Sequence, residues 1–451
     1  MKHRGRHRRR RRGQALRATL AGTALALTAA ATLISTSQAS GSGAPGALTS
    51  VSQAGPLRLH ENLVDTNTLD TLTRRMGGNV GVAGVLASTD HVMRDRAGCD
   101  AAETAALPVE PTATRAYCWD RADTTNPGWV PRAVTTSGDA DDDGAWDENR
   151  VILAGWTHSA RTAGAAGTPA RDRSLARIAV IDANDPDRLT YRWILLVAPT
   201  DGGKDFTAVR SRLSGMVWYQ GKLIVTAESG TDRAGGLLVF DLHRILRADA
   251  GGGAIGKVAG GYAAHGYQYV LPAIGSYTPT GGRCDPTTDR GTPCPGALSL
   301  DRSSAPDSLV ASERVRAGSD RHTRLWRYPF SLSTDTAGGG LLASDAFGRV
   351  EASEAYETKA TGVSAVLSHR AEGASGPDWY VDRASDPRDA LWRQNTSGAK
   401  AAECSADQSH ACWGRGTRSL SYWQQTGELW TLSPKGALYA VPLTSVEESL
   451  G

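Results

Sequence analysis

The chain has 451 residues and carries 50 Lys plus Arg against 47 Asp plus Glu, but nine of the basic residues lie in the first seventeen positions and no acid precedes Glu61. Without the first 39 residues, 41 basic side chains face 47 acidic ones, a formal charge of about −6, which argues against a basic nucleic-acid binder. With 51 Gly, 4 Met and 4 Phe beside 12 Trp and 12 Tyr, the composition is that of a loop-rich chain in which long helices do not dominate.

Residues 1–39 read as a secretory signal peptide. Arg4 to Arg12 supply the basic start, Ala15 to Ile34 the apolar stretch, and Ser37-Gln38-Ala39 the small-x-small cleavage signal. The pair Arg11-Arg12 leaves the twin-arginine route open. An uncleaved anchor is the competing reading, and the small residues and the cleavage signal weigh against it. The expectation is a secreted, extracellular monomer with no membrane span in the mature chain, since no other apolar run is long enough. Residues 40–60, rich in Gly, Ser, Ala and Pro, read as a flexible leader. Residues 61–127 read as a helix-and-loop segment, with a helix from Glu61 to Met76 that places Leu63, Leu69, Leu72 and Met76 on one stripe.

Six cysteines fall into three local pairs, Cys99 with Cys118, Cys284 with Cys294, and Cys404 with Cys412, each among Gly, Pro, Asp or Ser. In an exported chain this spacing predicts three local disulfides, although six cysteines allow 15 pairings. A zinc site would need close Cys-x-x-Cys pairs with nearby His, and the sequence has none.

From residue 128 to 449 the apolar runs are short, alternating and punctuated by Gly, the pattern of strands. Trp129 to Thr136, Val151 to Trp156, Ala176 to Asp182 and Tyr191 to Pro199 form a four-strand unit. The same order returns as Gly215 to Tyr219, Lys222 to Glu228, Gly236 to Leu242 and Tyr267 to Ala273. Three later pairs, Ser308 to Glu313 with Arg324 to Phe330, Asp378 to Arg383 with Ala390 to Gln394, and Glu428 to Ser433 with Ala437 to Leu443, repeat the central strands. Tandem four-stranded antiparallel units predict an all-β fold, a β-propeller of at least five blades with long inter-blade loops. A two-sheet sandwich would not explain the repeated order.

The loop after the first strand reads Asp139-Ala-Asp141-Asp142-Asp143-Gly144-Ala-Trp-Asp147. Oxygen donors at alternate positions, a Gly for the sharp turn and a further acid predict a structural Ca²⁺ held by Asp139, Asp141, Asp143 and Asp147. Position 12 is Arg150 instead of the bidentate Glu of an EF-hand, and a strand follows, so the loop would be a hairpin tip. A solvated acidic turn is the plainer alternative. Gly251-x-Gly253-x-x-Gly256 lacks the strand and crossover helix of a dinucleotide site. Asn395-Thr-Ser397 is a sequon.

The runs SGMVWYQGKLIVTAESGTDRAGGLLVFDLHRIL (Ser214 to Leu246), YQYVLPAIGSY (Tyr267 to Tyr277), SLDRSSAPDSLVASE (Ser299 to Glu313) and SLSYWQQTGELWTLS (Ser419 to Ser433) resemble a family of actinobacterial secreted proteins predicted to be propellers. The resemblance spans most of 128–445 and implies a fold, with no reaction to carry over. Where similar proteins have His-Ala-Gly-Gly before the second unit, this chain has Arg212-Leu213-Ser214-Gly215, so no role for that histidine transfers.

No catalytic constellation emerges. The favoured function is a non-catalytic binding protein for a glycan or a cell-envelope partner; the alternative is a polysaccharide hydrolase or lyase at the propeller channel, where Glu228 and Glu313, at equivalent strand ends, are the carboxylate candidates. Trp218, Trp326, Trp379, Trp392, Trp423 and Trp430 lie within strands and are expected to pack between blades. In an up-and-down blade the 1–2 and 3–4 loops share one face, and the 2–3 loops share the other with the inter-blade links. The long loop from Thr157 to Ser174 and two of the cysteine pairs fall on the link face, so the ligand is expected there, opposite the acidic loop.

Overall fold

In the computed structural model the described residues are 43–52, 54–126, 128–159, 173–230, 233–286, 291–333 and 338–450. The expected signal peptide, residues 1–39, and residues 160–172 of the long loop lie outside them. Residues from Pro45 onward form one unit, which contains everything described below.

Five four-stranded antiparallel blades appear among the described residues. Blade I comprises Trp129–Thr136, Val151–His158, Ala176–Asp182 and Thr190–Thr200. Blade II comprises Met216–Tyr219, Lys222–Gly230, Arg233–Asp241 and Tyr269–Pro279. Pro295–Asp301, Ser308–Glu313, Thr323–Pro329 and Glu354–Thr358 make blade III. Val363–His369, Asp378–Arg383, Ala390–Asn395 and Gly398–Ala401 make blade IV. Blade V takes three strands from the C-terminal end, Arg418–Trp423, Glu428–Leu432 and Ala437–Pro442, and its outer strand, Arg115–Cys118, from the segment before blade I.

The first strands of the five blades touch in a closed circle, I to II to III to IV to V and back to I. Between neighbours lie five apolar cores. Leu153, Val180, Trp218 and Phe240 fill the space between blades I and II, and Val217, Ile224, Leu309 and Trp326 that between II and III. Val310, Val366 and Trp379 join III to IV; Leu367, Tyr380, Leu429 and Tyr439 join IV to V; Trp156, Ile152, Trp423 and Trp430 join V to I. Because each inner strand is covered on both faces, runs such as Val151–His158 are almost continuously buried, where a one-faced sheet would alternate. All six strand tryptophans are buried within the blades.

Residues 46–118 form a belt around the outside. Gln394 Nε2 donates to Gly46 O and Leu48 N to Asn395 O at blade IV. Thr49–Ser50 then pairs with the outer strand of III, Leu59–Leu63 with that of II, and His91–Val92 with that of I, before Arg115–Cys118 completes V. Each added strand covers main-chain donors and acceptors that an outer edge would otherwise expose. The expected helix therefore starts late: Leu59–Leu63 is a strand that leaves Leu63 52% exposed, Asp65 caps the helix by accepting from Thr68 N at 3.3 Å, and Thr66–Arg75 is helical with Leu69 and Leu72 buried.

The three local disulfides Cys99–Cys118, Cys284–Cys294 and Cys404–Cys412 are formed. Among the described residues, no helix is long and apolar enough to cross a membrane. The Gly251–Gly256 run leads into a surface hairpin, Ile255–Val258 with Gly261–Ala264. Asn395 commits its amide to Asp378 and to Ser397 N and Gly398 N, which close its own turn.

Candidate functional site

The acidic loop of blade I is buried at its start, Ser137–Ala140, and exposed from Asp141 to Asp143. One helical turn, Ser137–Ala140, carries Asp139 inward, where its Oδ2 accepts from Thr135 Oγ1 at 2.6 Å and from Ser421 Oγ of blade V at 2.7 Å. Gly138 permits this close approach, since a Cβ there would lie 2.5 Å from Trp423 Cδ1. Gln220 N of blade II donates to Ala140 O at 2.8 Å, Arg302 Nη2 of blade III to Asp139 O at 2.8 Å, and Gln425 Nε2 of blade V to Asp142 O. Held by three other blades, the loop forms a plug at the inner-strand ends on this face.

This fold separates the four aspartates expected to bind calcium. Asp139 is buried, and burial pushes its carboxyl up to about 6 against the opposing pull of Thr135, Ser421 and Arg302. Asp141, Asp143 and Asp147 stay exposed; Asp141 and Asp143 accept from the main chain of their own turn, and Asp147 takes a left-handed φ of 53°. Among the described residues, the one group of three metal-ligand side chains close together is Cys99, Glu103 and Cys118, whose thiols form a disulfide and whose carboxylate binds Arg94. Among the described residues, the four carboxylates of the acidic loop are not gathered into such a group. The cation beside them is the Arg302 guanidinium, paired with Asp142.

The channel carboxylates fare no better. Glu313 is buried and held by Arg321 Nη2 at 2.9 Å and Arg324 Nε at 2.8 Å; the side chain of Glu228 lies outside the described residues. A second carboxylate pair, missed from sequence, joins blades IV and V. Asp382 accepts from Ser364 Oγ at 3.1 Å, and Asp389 from Thr417 N at 2.6 Å. Burial raises both carboxyls, Asp389 to about 6, and the proximity of Asp389 raises Asp382 further. At 0% and 1% exposed they are out of reach of a polymeric substrate.

A cleft of about 610 Å³ opens between blade II, the belt and the outer loop of blade III. The next largest of the compared concavities, beside Trp379, measures about 160 Å³. Lys222 opens the second strand of blade II directly opposite Asp241, which closes the third, and their Nζ and Oδ2 lie 3.1 Å apart. Asp241 also caps the turn Leu242–Arg244: its Oδ1 accepts from His243 N at 3.0 Å and pairs with His243 Nδ1 at 2.9 Å. A carboxylate only accepts, so Nδ1 carries the proton and Nε2 is left for a ligand. Gly221 lies beneath the imidazole, where a Cβ would be 2.8 Å from Cε1, and Trp146 of the acidic loop packs against the same ring with centroids 5.0 Å apart. Arg244 Nη1 reaches Asp70 Oδ1 of the helix Thr66–Arg75 at 3.0 Å.

The lining also includes the apolar side chains of Leu63, Val64 and Leu69 of the belt, Ile274 of blade II and Leu341 of blade III, and the amides of Asn79 and Gln220. The cleft lies on the face of the 1–2 and 3–4 loops, the same face as the acidic loop, and not on the link face where sequence reasoning put the ligand. The available signals, a lysine opening a strand and an Asp-x-His closing another, carry no recognisable motif.

No family model matches the chain, and no curated protein matches it. Among solved structures it is similar to Drosophila Plexin A in complex with Semaphorin 1b, at 10% identity over 75% of this chain and 88% of that one with a TM-score of 0.30. It is similar to a gluconolactonase of Xanthomonas campestris at 10% identity over 78% and 98% of the two chains, TM-score 0.27, and to Drosophila Semaphorin 1b, extracellular domains 1–2, at 11% over 65% and 71%, TM-score 0.25. Scores of this size say nothing of what this chain binds.

Proposed function

We propose that the chain is a secreted propeller that binds a glycan of the cell envelope without transforming it, and that the ligand enters the blade II cleft instead of the central channel. The observation that supports this reading is the plug: Asp139 and its loop bond to blades II, III and V at the ends of their inner strands. The cleft beside it has the size of a small-ligand site. Its lining suits a sugar, whose ring faces are C–H surfaces and whose edges are hydroxyls. Leu69, Ile274 and Leu341 offer the first a partner, and Asn79, Gln220 and His243 the second.

A glycan array probed with protein beginning at Ser40, as wild type and as Leu63→Trp, tests the reading. Leu63 is half-exposed at the cleft wall, so the larger ring fills the space without entering a core. Wild type is expected to retain a subset of glycans that the variant, with an unchanged thermal midpoint, loses. Retention by both, or turnover of a bound glycan, would contradict it.

A further inference from the structure

We infer that the ligand of the blade II cleft is an uncharged glycan, oriented by a hydroxyl that donates to Nε2 of His243. The inference rests on the binding reading above and adds to it the chemical class of the ligand.

It follows from the charge balance of the cleft. The lining carries Lys222, Arg244 and Asp241, and the belt helix brings Asp70 to Arg244, so each cation already has its own carboxylate. Lys222 Nζ lies 3.1 Å from Asp241 Oδ2 across paired strands, with its side chain only 4% exposed. Arg244 Nη1 lies 3.0 Å from Asp70 Oδ1. Asp241 is committed at its other oxygen too, since Oδ1 takes both His243 N and Nδ1. A charged sugar entering here would give up its hydration without finding a counter-charge of its own, and the nearest opposite charge would already be paired. A uronate would also face Asp70 and Asp241, and an amino sugar Lys222 and Arg244. Neither sign is favoured.

What the cleft offers an uncharged ligand is direction. The Asp241 carboxylate keeps the proton of His243 at Nδ1, which leaves the lone pair of Nε2 as an acceptor. The ring is also held in place: a Cβ on Gly221 would come within 2.8 Å of Cε1, and Trp146 packs on it with centroids 5.0 Å apart. A hydroxyl meets this acceptor as a donor, and the amides of Asn79 and Gln220 in the same lining can donate to its neighbours on the ring. The C–H face of the same sugar then lies on Leu69, Ile274 and Leu341. A hexose uses all of these groups and asks for no charge.

The test uses gluco-, galacto- and manno-configured oligosaccharides, each beside its uronate and its amino-sugar counterpart. Wild-type protein is expected to bind the neutral member of a set about tenfold more tightly than either charged one, with an affinity that salt does not change, since no ion pair forms on binding. His243→Phe, which keeps a ring and removes the acceptor, is expected to lose about tenfold on the neutral member with an unchanged thermal midpoint. Asp70 is 45% exposed, and Asp70→Asn, which uncovers the guanidinium of Arg244, is expected to admit the uronate while the amino sugar stays excluded. Equal or tighter binding of a charged member by wild type, abolished by Leu63→Trp, would overturn the uncharged assignment and leave the cleft reading standing. A neutral preference that survives both His243→Phe and Asp70→Asn would do the same. Binding that Leu63→Trp does not affect, or no binding to any member of any set, would overturn both.

Discussion

Arg302 donates to the main-chain oxygen of Asp139 at 2.8 Å while its guanidinium pairs with the carboxylate of Asp142, so one side chain of blade III holds the acidic loop of blade I. The guanidinium also lies over the ring of Tyr219, 5.4 Å from its centroid, and neutralises a loop whose acids would otherwise repel each other.

Replacing Arg302 should release the plug. The Asp142 carboxylate is almost fully exposed, so the ion pair itself contributes little; the larger loss comes from the carbonyl of Asp139 and the packing on Tyr219. Arg302→Ala is expected to lower stability by about 1–3 kcal/mol in urea denaturation. The same variant bears on calcium. Wild type, with Arg302 already in place, is expected to show no rise in thermal midpoint at millimolar calcium, whereas Arg302→Ala should gain one as Asp142, beside Asp141 and Asp143, loses its counter-charge. A wild-type rise would mean that the loop opens to ligate the metal.

The buried acids set a pH dependence with a definite sign. Burial holds the Asp139 carboxyl up to about 6, above its ordinary value near 4, so the folded chain binds that proton more tightly than the unfolded one. Its contribution to stability is full below about pH 4 and is lost as the pH climbs through 6. Asp382 and Asp389, raised by burial, act in the same direction. Asp139→Asn is expected to gain on wild type by on the order of 2–3 kcal/mol between pH 4 and pH 7. Urea midpoints at several pH values measure this; a difference between the two proteins that does not change with pH would rule the assignment out.

The belt should matter more than its few strands suggest. Cys118 lies in the strand that pairs with Ala437–Pro442, and its bond to Cys99 fixes that strand to the rest of the belt. Changing both cysteines to Ser is expected to cost about 2–5 kcal/mol. A chain beginning at residue 119 would leave blade V with three strands and an open edge, and it is expected to lose cooperative thermal unfolding. A native-like transition from that chain would show that the ring closes without the belt.

The blades were legible because their strands carry local information: VILAGW (Val151 to Trp156) and KLIVTAE (Lys222 to Glu228) announce themselves by apolar runs with β-branched residues. The belt was not, since strands of two to five residues such as Thr49–Ser50 and Arg115–Cys118 owe their existence to the edges they cover. The spacing of Asp139 to Asp147 is a ligand pattern, but spacing does not reveal that Thr135 and Ser421, the latter 282 residues away, draw Asp139 inward. The cleft was hidden for the same reason. Lys222, Asp241 and Arg244 acquire their roles from a cross-strand register and from a helix on the belt.

Hydrogen exchange of the protein with and without the tightest-binding glycan of the array tests the central claim most directly, because it locates the ligand without assuming a site. Protection is expected at Leu63–Asp70, Gln220–Lys222 and Asp241–Arg244, with no change at Thr136–Gly144 and Ser419–Trp423 around the plug. Protection centred on the plug, or on the link face at Glu313 and Asp389, would contradict the account.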